Sequence, residues 1–280
     1  MKQEKTALVQ ISNTNRQQIT RNNNNSIFID AQLTSLQARN TDRTPKRLFP
    51  HLQLELWAVV NNAGILKGFS VDFSSVGDFR DCIDVNLLGS VRVTKAFLPL
   101  LRQTKGRIVN VTSIAGELSL PFFAPYIASK YAAVGFTDCL RFELDTWGIS
   151  VVSIEPETFL TGLTCPETIL KNFDAKFKGS FKEDYGDDYA AAFKDLANLA
   201  LSFLCPKISI VVDDLEAAVS LEHPYHTYKP RRHFLGRFIC FCYEVMPRSF
   251  QILLMKLLFF MFFSESKAIK DIVMKIASWI

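Results

Sequence analysis

The chain has 280 residues, of which 48% are hydrophobic and 21% charged. This composition supports one large α/β domain with a sizeable core and argues against a wholly disordered protein. The formal net charge of +4 is too small to indicate a nucleic-acid partner, and the four histidines and six cysteines show no spacing typical of a metal site or a disulfide framework.

Three regions follow one another along the chain. Residues 1–50 are polar and rich in Asn and Gln, so we predict an atypical, partly disordered segment with one candidate strand at 26–30. Residues 51–230 are predicted to form the main domain. Residues 231–280 are strongly apolar and are predicted to form a helical extension.

Within the main domain, short apolar strands alternate with helices. Strands are predicted at 56–60, 107–111 and 150–154, and helices from about 79 to near Pro99 and from about 125 to 147. This order indicates an α/β fold with a doubly wound parallel sheet, in which ligands bind beyond the carboxyl ends of the strands. Asn61 and Ser113 each follow a strand, so we expect both at that edge. A charged stretch at 182–188 is predicted to be a solvated loop or a helix start.

Tyr126 and Lys130 are the first candidates for chemistry, because residues four apart share one face of a helix. A nearby ammonium group favours the phenolate and is expected to lower the pKa of Tyr126, making it a usable acid and base. On its own this spacing is also typical of an ordinary helix surface. Ser113 adds weight, because its hydroxyl lies just after a strand and can donate to a substrate oxygen.

Two polar positions complete the pattern. The turn that contains Asn61, Ala63 and Gly64 follows a strand, and its small residues permit close approach of a ligand. Asn86 lies in an otherwise apolar helix, where an amide can open the helix or hold a water. Taken singly, the first is a plain turn and the second a surface amide.

Together these residues resemble the short-chain dehydrogenase/reductase family, in its order and near its spacings, over about residues 54–162. The resemblance implies a Rossmann-like sheet, incomplete here at its N-terminal half. It implies Tyr126 as general acid and base, Lys130 as its partner and ribose ligand, Ser113 as donor to the substrate oxygen, and Asn86 as holder of a relay water. It further implies that Tyr126 and Lys130 also bind the cofactor. The other cofactor-binding residues that it implies are Asn61, Ala63, Gly64, Pro156 and Thr161.

Several local stretches look like the branch that contains retinol dehydrogenases, 17β-hydroxysteroid dehydrogenase type 2 and 3-hydroxybutyrate dehydrogenase. These stretches are 56–64, 94–100, 138–144 and 184–186. The resemblance implies NAD or NADP as cofactor, with NAD favoured, a lipophilic alcohol or ketone as substrate, and a homodimer. It also implies an intracellular, membrane-associated protein of the endoplasmic reticulum or mitochondrion.

The sequence departs from the family at two places. The family holds the cofactor phosphates on a glycine-rich turn after the first strand, but no glycine precedes Gly64 here. Glu157 stands where the family has a glycine near the nicotinamide, and we expect it to crowd the ring or repel the phosphates. Two interpretations stay open: a shortened version of a normal enzyme, or a protein that has lost strong dinucleotide binding.

The apolar C-terminal region also allows two interpretations. The run 252–263 holds one charge and is shorter than the ~20 residues that span a bilayer. Residues 234–263 either close the substrate pocket or lie in a membrane interface, and the flanking basic residues favour the interface.

The sequence therefore predicts an oxidoreductase that transfers a hydride between a nicotinamide cofactor and a lipophilic secondary or allylic alcohol of steroid or retinoid type. The alternatives are a 3-hydroxybutyrate-type dehydrogenase and a catalytically impaired relative that serves as a binding module or oligomer partner.

Overall fold

The computed structural model describes residues 55–119, 122–178, 180–202, 204–232 and 234–263, together with the backbone of 6–12, 19–21 and 27–32. Most of the predicted N-terminal segment 1–50 and the end of the C-terminal extension, 264–280, lie outside the described residues.

Seven strands form one sheet in the order β2-β3-β1-β4-β5-β6-β7. The strands are β1 (Thr6–Ser12), β2 (Ile19–Arg21), β3 (Ile27–Gln32), β4 (Glu55–Asn61), β5 (Arg107–Val111), β6 (Ser150–Ile154) and β7 (Thr227–Tyr228). All neighbours pair in parallel except β2 with β3. The three strands predicted in the main domain are confirmed as β4, β5 and β6.

Three N-terminal segments extend the sheet beyond β4. The candidate strand at 26–30 is confirmed as β3, which lies between β1 and β2. Val9 of β1 is in register with Val59 of β4 and with Ile29 of β3. The stretches that join these strands are outside the described residues.

The helices are α1 (Val76–Ile83), α2 (Ser90–Thr104), α3 (Ala124–Asp145), α4 (Pro166–Lys176), α5 (Ser180–Ser202), α6 (Ser209–Ser220), α7 (Phe234–Val245) and α8 (Arg248–Phe263). A π-helical segment, Asp84–Gly89, joins α1 to α2. A short 3-10 turn, Ile114–Gly116, follows β5. The predicted helix at 125–147 is confirmed as α3.

One predicted boundary is wrong. Helix α2 passes through Pro99 and ends at Thr104, because proline fits helical φ and the burial of Leu101 holds the last turn on the core. Of the two alternatives for the charged stretch 182–188, the helix start is confirmed, because the stretch lies in the first turns of α5, and the chain bends there at Gly186, where φ is 74°.

The sheet has an apolar core on each face, as the alternation of strand side chains requires. On one face, Leu56 and Val59 pack with Phe97 of α2 and Leu140 of α3. On the other, strand residues pack with α6, and that cluster includes Ala58, Val60, Val109, Val152, Val211 and Ala218. The predicted doubly wound α/β fold is confirmed. Among the described residues, no helix is both long enough and apolar enough to cross a bilayer.

Candidate active site

The predicted chemical residues meet at the carboxyl edge of the sheet. Asn61 ends β4, Ser113 lies two residues after β5, and Pro156 lies two residues after β6. Parallel pairing brings these ends side by side. The N-terminal part of α3, which carries Tyr126 and Lys130, covers the same edge.

Asn86 ties the turn after β4 to the catalytic helix α3. Its amide oxygen accepts from Ile65 N at 2.8 Å, and its amide nitrogen donates to Ile65 O at 3.0 Å and to Ser129 Oγ at 2.8 Å. Ser129, which is fully buried, donates in turn to Tyr126 O at 2.6 Å. The π-helical segment makes this possible, because its wider turn presents the amide sideways out of the helix.

Ser113 and Tyr126 form the centre of the site. The Ser113 hydroxyl is near enough to the phenol to act on the pKa of Tyr126, and Ser113 Oγ accepts from Ala115 N at 3.1 Å. Ser113 is 9% exposed, so its rotamer is fixed by the surrounding turn. A carbonyl or carbinol oxygen that entered between these two hydroxyls would meet two proton donors.

Lys130 lies beside the phenol and inside the protein. Its ammonium donates to Val111 O at 3.1 Å and lies 5.7 Å from the centroid of the Tyr126 ring. Burial lowers the pKa of Lys130 to about 8. Gly64 faces the same group, because a Cβ at that position would lie 3.9 Å from the ammonium and 3.5 Å from Asn86 Oδ1.

The pKa of Tyr126 moves opposite to the direction that the sequence predicts. Burial raises it, and the nearby Ser113 hydroxyl acts against that rise. The reason is that the phenol and Lys130 are desolvated together, while the ammonium is held by Val111 O. The predicted lowering of the Tyr126 pKa is therefore wrong for the protein without a bound cofactor.

Asn61 points into the protein interior. Its amide nitrogen donates to Asn110 Oδ1 at 2.8 Å, and Asn110 donates to Thr137 Oγ1 of α3 at 3.0 Å. This buried chain of polar groups joins β4, β5 and the catalytic helix. Sequence reasoning missed Asn110, Thr137 and Ser129. Asn110 and Ser129 stand beside predicted site residues, but only the burial of their side chains shows their use.

The other residues predicted to lie near the cofactor are partly in contact with the site and partly outside it. Pro156 accepts from Ile114 N at 3.0 Å, beside Ser113, and Ala63 packs against the core. Thr161 is exposed, and its backbone N–H bonds to the Thr164 hydroxyl at 3.0 Å, within its own turn. Glu157 accepts from the backbone N–H of Arg232, so its carboxylate is held by the segment after β7.

The residues at the nicotinamide end fit a dinucleotide. Gly64 lies in ordinary contact distance of two polar groups, and a glycine there leaves room for a ligand. Among the described residues, the Lys130 ammonium donates to Val111 O, and an ammonium has three donors, which leaves donors for the hydroxyls of a ribose. The residues that follow β1, where the family binds the phosphates, lie outside the described residues.

A family model described as "short chain dehydrogenase" matches residues 2–168, which is more than half of the chain. The chain belongs to the short-chain dehydrogenase family. The match includes the carboxyl edge of β4 to β6 and both Tyr126 and Lys130, and it begins before β1. This supports a nicotinamide cofactor at the edge described above.

Curated relatives place the chain in the predicted branch. It is 38% identical over 193 residues to human "17-beta-hydroxysteroid dehydrogenase type 2", covering 67% of this chain and 49% of that protein. It is 40% identical over 177 residues to human "Retinol dehydrogenase 16", covering 62% and 56%. It is 36% identical over 188 residues to rat mitochondrial "D-beta-hydroxybutyrate dehydrogenase", covering 64% and 54%. The chain thus spans about half the length of these relatives.

Solved structures agree on the fold. A short-chain dehydrogenase from Streptomyces avermitilis matches with a TM-score of 0.55 at 18% identity, covering 81% of this chain and 87% of that one. A Burkholderia phymatum short-chain dehydrogenase/reductase in complex with NAD matches with a TM-score of 0.53 at 22% identity, covering 72% and 70%.

Proposed function

We propose that the protein is an NAD-dependent oxidoreductase that interconverts a lipophilic secondary or allylic alcohol, of steroid or retinoid type, with its carbonyl form. The observation that carries this proposal is that Ser113 and Tyr126 lie beside a buried Lys130 at the carboxyl edge of the sheet. Two hydroxyls and an ammonium at one edge of the sheet match the needs of proton transfer to or from a carbinol oxygen.

Four side chains carry the proton transfer in this mechanism. Ser113 donates to the substrate oxygen and holds it, while Tyr126 takes the hydroxyl proton during oxidation and returns it during reduction. Lys130 stabilises the phenolate as it forms and binds the ribose. Asn86 fixes the turn at Ile65 and the helix at Ser129, and a water beside it relays the proton. A bound nicotinamide would supply the redox chemistry, with NAD+ as hydride acceptor in oxidation and NADH as hydride donor in reduction.

An aromatic cluster supports an apolar substrate. The loop after β4, the start of α3 and helices α4 and α5 bring rings into edge and stacked contacts near Tyr126. The members of this cluster are Phe69, Phe73, Phe122, Phe123, Phe173, Phe177, Phe193 and Tyr189. Ala124 N donates to Phe69 O, which links the cluster to the first turn of the catalytic helix. A steroid or retinoid ring system needs such walls.

Replacement of Tyr126 by Phe tests the mechanism. We expect Tyr126→Phe to lower kcat by about 10²-fold or more, because general acid–base catalysis contributes that much, while NAD binding is retained. Tyr225→Phe is the matched control, since Tyr225 is 74% exposed and precedes β7, at the amino edge of the sheet and opposite the proposed site. Turnover is followed at 340 nm with NAD and a panel of steroid, retinoid and hydroxybutyrate substrates. Full turnover by Tyr126→Phe contradicts the mechanism.

A catalytically impaired relative is the second candidate function. Its support is the sequence, which has no glycine before Gly64 to approach the cofactor phosphates. Isothermal titration with NAD and with NADP separates the two functions. Micromolar binding of either supports the enzyme and also decides the cofactor, whereas absent binding supports a binding module or oligomer partner. Turnover of hydroxybutyrate alone in the substrate panel would favour the 3-hydroxybutyrate-type activity.

We propose two further properties for the same protein. The apolar helices α7 and α8, within residues 234–263, bind a membrane surface of the endoplasmic reticulum or mitochondrion. Their support is a row of exposed aromatic and aliphatic side chains.

A homodimer forms through α3, where Phe142 is 81% exposed. Sedimentation of the wild type and of Phe142→Glu checks the dimer, and the variant is expected to be monomeric.

A further inference from the structure

Lys229 lies between two carboxylates that come from distant parts of the chain. Its ammonium is 2.9 Å from both carboxylate oxygens of Glu117 and 2.7 Å from Glu244 Oε2. Lys229 follows β7 directly, Glu117 follows the 3-10 turn after Ser113, and Glu244 lies in the last turn of α7. All three side chains are partly buried, at 34%, 24% and 19% exposure, so solvent screens these pairs less than a surface pair.

Glu117 belongs to a segment that is held from two other sides. The Tyr131 hydroxyl, one residue after Lys130 on α3, donates to Glu117 O. Ser119 Oγ lies 3.1 Å from the Tyr131 hydroxyl and accepts from Arg248 of α8 at 2.9 Å. The catalytic helix, the end of β7 and the C-terminal helices therefore meet at residues 117–119.

The turn between Ser113 and Glu117 can transmit a displacement. Gly116 N donates to Ser113 O at 2.9 Å, and Glu117 N donates to Ile114 O at 3.0 Å. Gly116 is pressed against α3, where a Cβ would lie 2.5 Å from Val134 Cγ2. With so little free space, a shift of Glu117 moves the whole turn and with it the Ser113 hydroxyl.

Lys229 also separates two like charges. The carboxyl groups of Glu117 and Glu244 are close enough to interact, and burial together with the Glu117 contact raises the pKa of Glu244. Without the ammonium between them, two partly buried carboxylates repel each other, and this repulsion pushes Glu117 and the turn that carries it away from Glu244.

We propose that Lys229 is a positioning residue that fixes the Ser113 hydroxyl through Glu117, with Glu244 of α7 holding the ammonium in place. This inference rests on the proposed function, in which Ser113 orients the substrate oxygen. It assigns α7 to the active site as a structural support.

Steady-state kinetics of Lys229→Met and Lys229→Arg test the proposal. Because displacement of a reacting group by about 1 Å costs up to about 10²-fold in rate, we expect Lys229→Met to lower kcat by about 10-fold or more with the KM for NAD unchanged. Lys229→Arg keeps the charge and is expected to recover most of kcat. Lys229→Met combined with Glu244→Gln is expected to lose no more than Lys229→Met alone, since the two residues act as one unit.

The matched control is Lys67→Met, which removes an exposed ion pair with Asp81 at 2.7 Å and should leave kcat unchanged. Thermal unfolding of every variant shows whether a loss of kcat merely follows a loss of folded protein. Wild-type kcat in Lys229→Met, or equal losses in Lys229→Met and Lys229→Arg, overturns the proposal.

Hydrogen exchange separates this inference from the proposed function. If the wild type turns over no substrate, the proposed function fails, but the amides of Ala115, Gly116 and Glu117 still report on the turn. We expect these amides to exchange at least about 10-fold faster in Lys229→Met and at wild-type rates in Lys67→Met. Unchanged exchange in Lys229→Met would sink the positioning role whatever the activity.

Discussion

Burial of a charged lysine reduces the free energy of unfolding, and this penalty disappears when the ammonium loses its proton. Lys130 is 5% exposed, and burial lowers its pKa to about 8 from an ordinary value of 10.5. Below pH 8 the folded and unfolded chains both hold the proton, so the cost is fully present. Between about pH 8 and 10.5 the unfolded chain holds more protons than the folded one, so this residue makes the folded state more stable as the pH rises.

This sign gives a prediction for the free energy of unfolding. From pH 7 to 9.5, the wild-type value minus that of Lys130→Met should rise by about 2 kcal/mol. The subtraction cancels the contributions of groups that titrate in this range without interacting with Lys130. Urea unfolding at pH 7, 8, 9 and 9.5 measures it. A flat or falling difference would show that Lys130 is not the buried ammonium described here.

The 3-10 turn after β5 is the element that sets Ser113 against the catalytic helix. A Cβ on Gly116 would lie 2.5 Å from Val134 Cγ2 and 2.9 Å from Lys130 O. Its backbone is not in the left-handed region, so the constraint is space alone. The close approach of turn and helix therefore depends on a residue without a side chain.

Gly116→Ala is expected to push the turn off α3. The overpacking should destabilise the fold by about 1–3 kcal/mol and lower kcat by about 10-fold, since Ser113 moves with the turn. Gly135→Ala is the control on the same helix, where a Cβ meets nothing within 4 Å, and it should stabilise by about 0.5–1 kcal/mol. Urea unfolding and kcat together check both variants. Equal behaviour of the two alanines would contradict the packing argument.

The elements differ in how far sequence reasoning reaches them. Strands β4 to β6 and helix α3 are predicted because their apolar residues recur at the period of a strand or a helix. The end of α2 is missed because the buried Leu101 outweighs Pro99, and burial is a tertiary property. The spacing of Tyr126 and Lys130 predicts their proximity, but not the pKa direction, which depends on how deeply both are buried.

Contacts between distant segments are beyond a single sequence. Lys229 and Glu117 are 112 positions apart, and nothing in either local stretch marks them as partners. Glu157 is similar, because the sequence predicts that it crowds the nicotinamide ring or repels the phosphates, and gives no sign of its bond to the backbone of Arg232. In both cases the partner comes from the segment after β7. Local sequence patterns do not predict where that segment lies in the fold.

At the scale of the whole molecule, the C-terminal helices concentrate exposed apolar side chains. Phe241 of α7 and Phe250 of α8 are 57% and 60% exposed. Other exposed apolar residues on these two helices, among the described side chains, are Phe238, Val245, Ile252, Leu253, Leu254, Leu257 and Phe260. Arg237 and Lys256 are exposed on the same helices, where their positive charges can contact the lipid headgroups of a membrane.

The pair Phe241→Asp and Phe250→Asp tests the membrane proposal. Burial of each ring in lipid contributes about 1.5–3 kcal/mol, so the doubly substituted protein should bind phosphatidylcholine vesicles that contain phosphatidylserine at least about 100-fold more weakly. Val212→Asp, at an exposed apolar position of α6, is the control and should bind like the wild type. Co-sedimentation with vesicles measures the affinity. Undiminished binding by the doubly substituted protein would mean that the apolar rows of α7 and α8 face something other than lipid. The same helices hold Glu244 and Arg248 against the segment that follows Ser113, so the substitutions could also damage the site. The kcat of the doubly substituted protein in detergent distinguishes the two effects. It should stay at the wild-type value if only the membrane contact is lost.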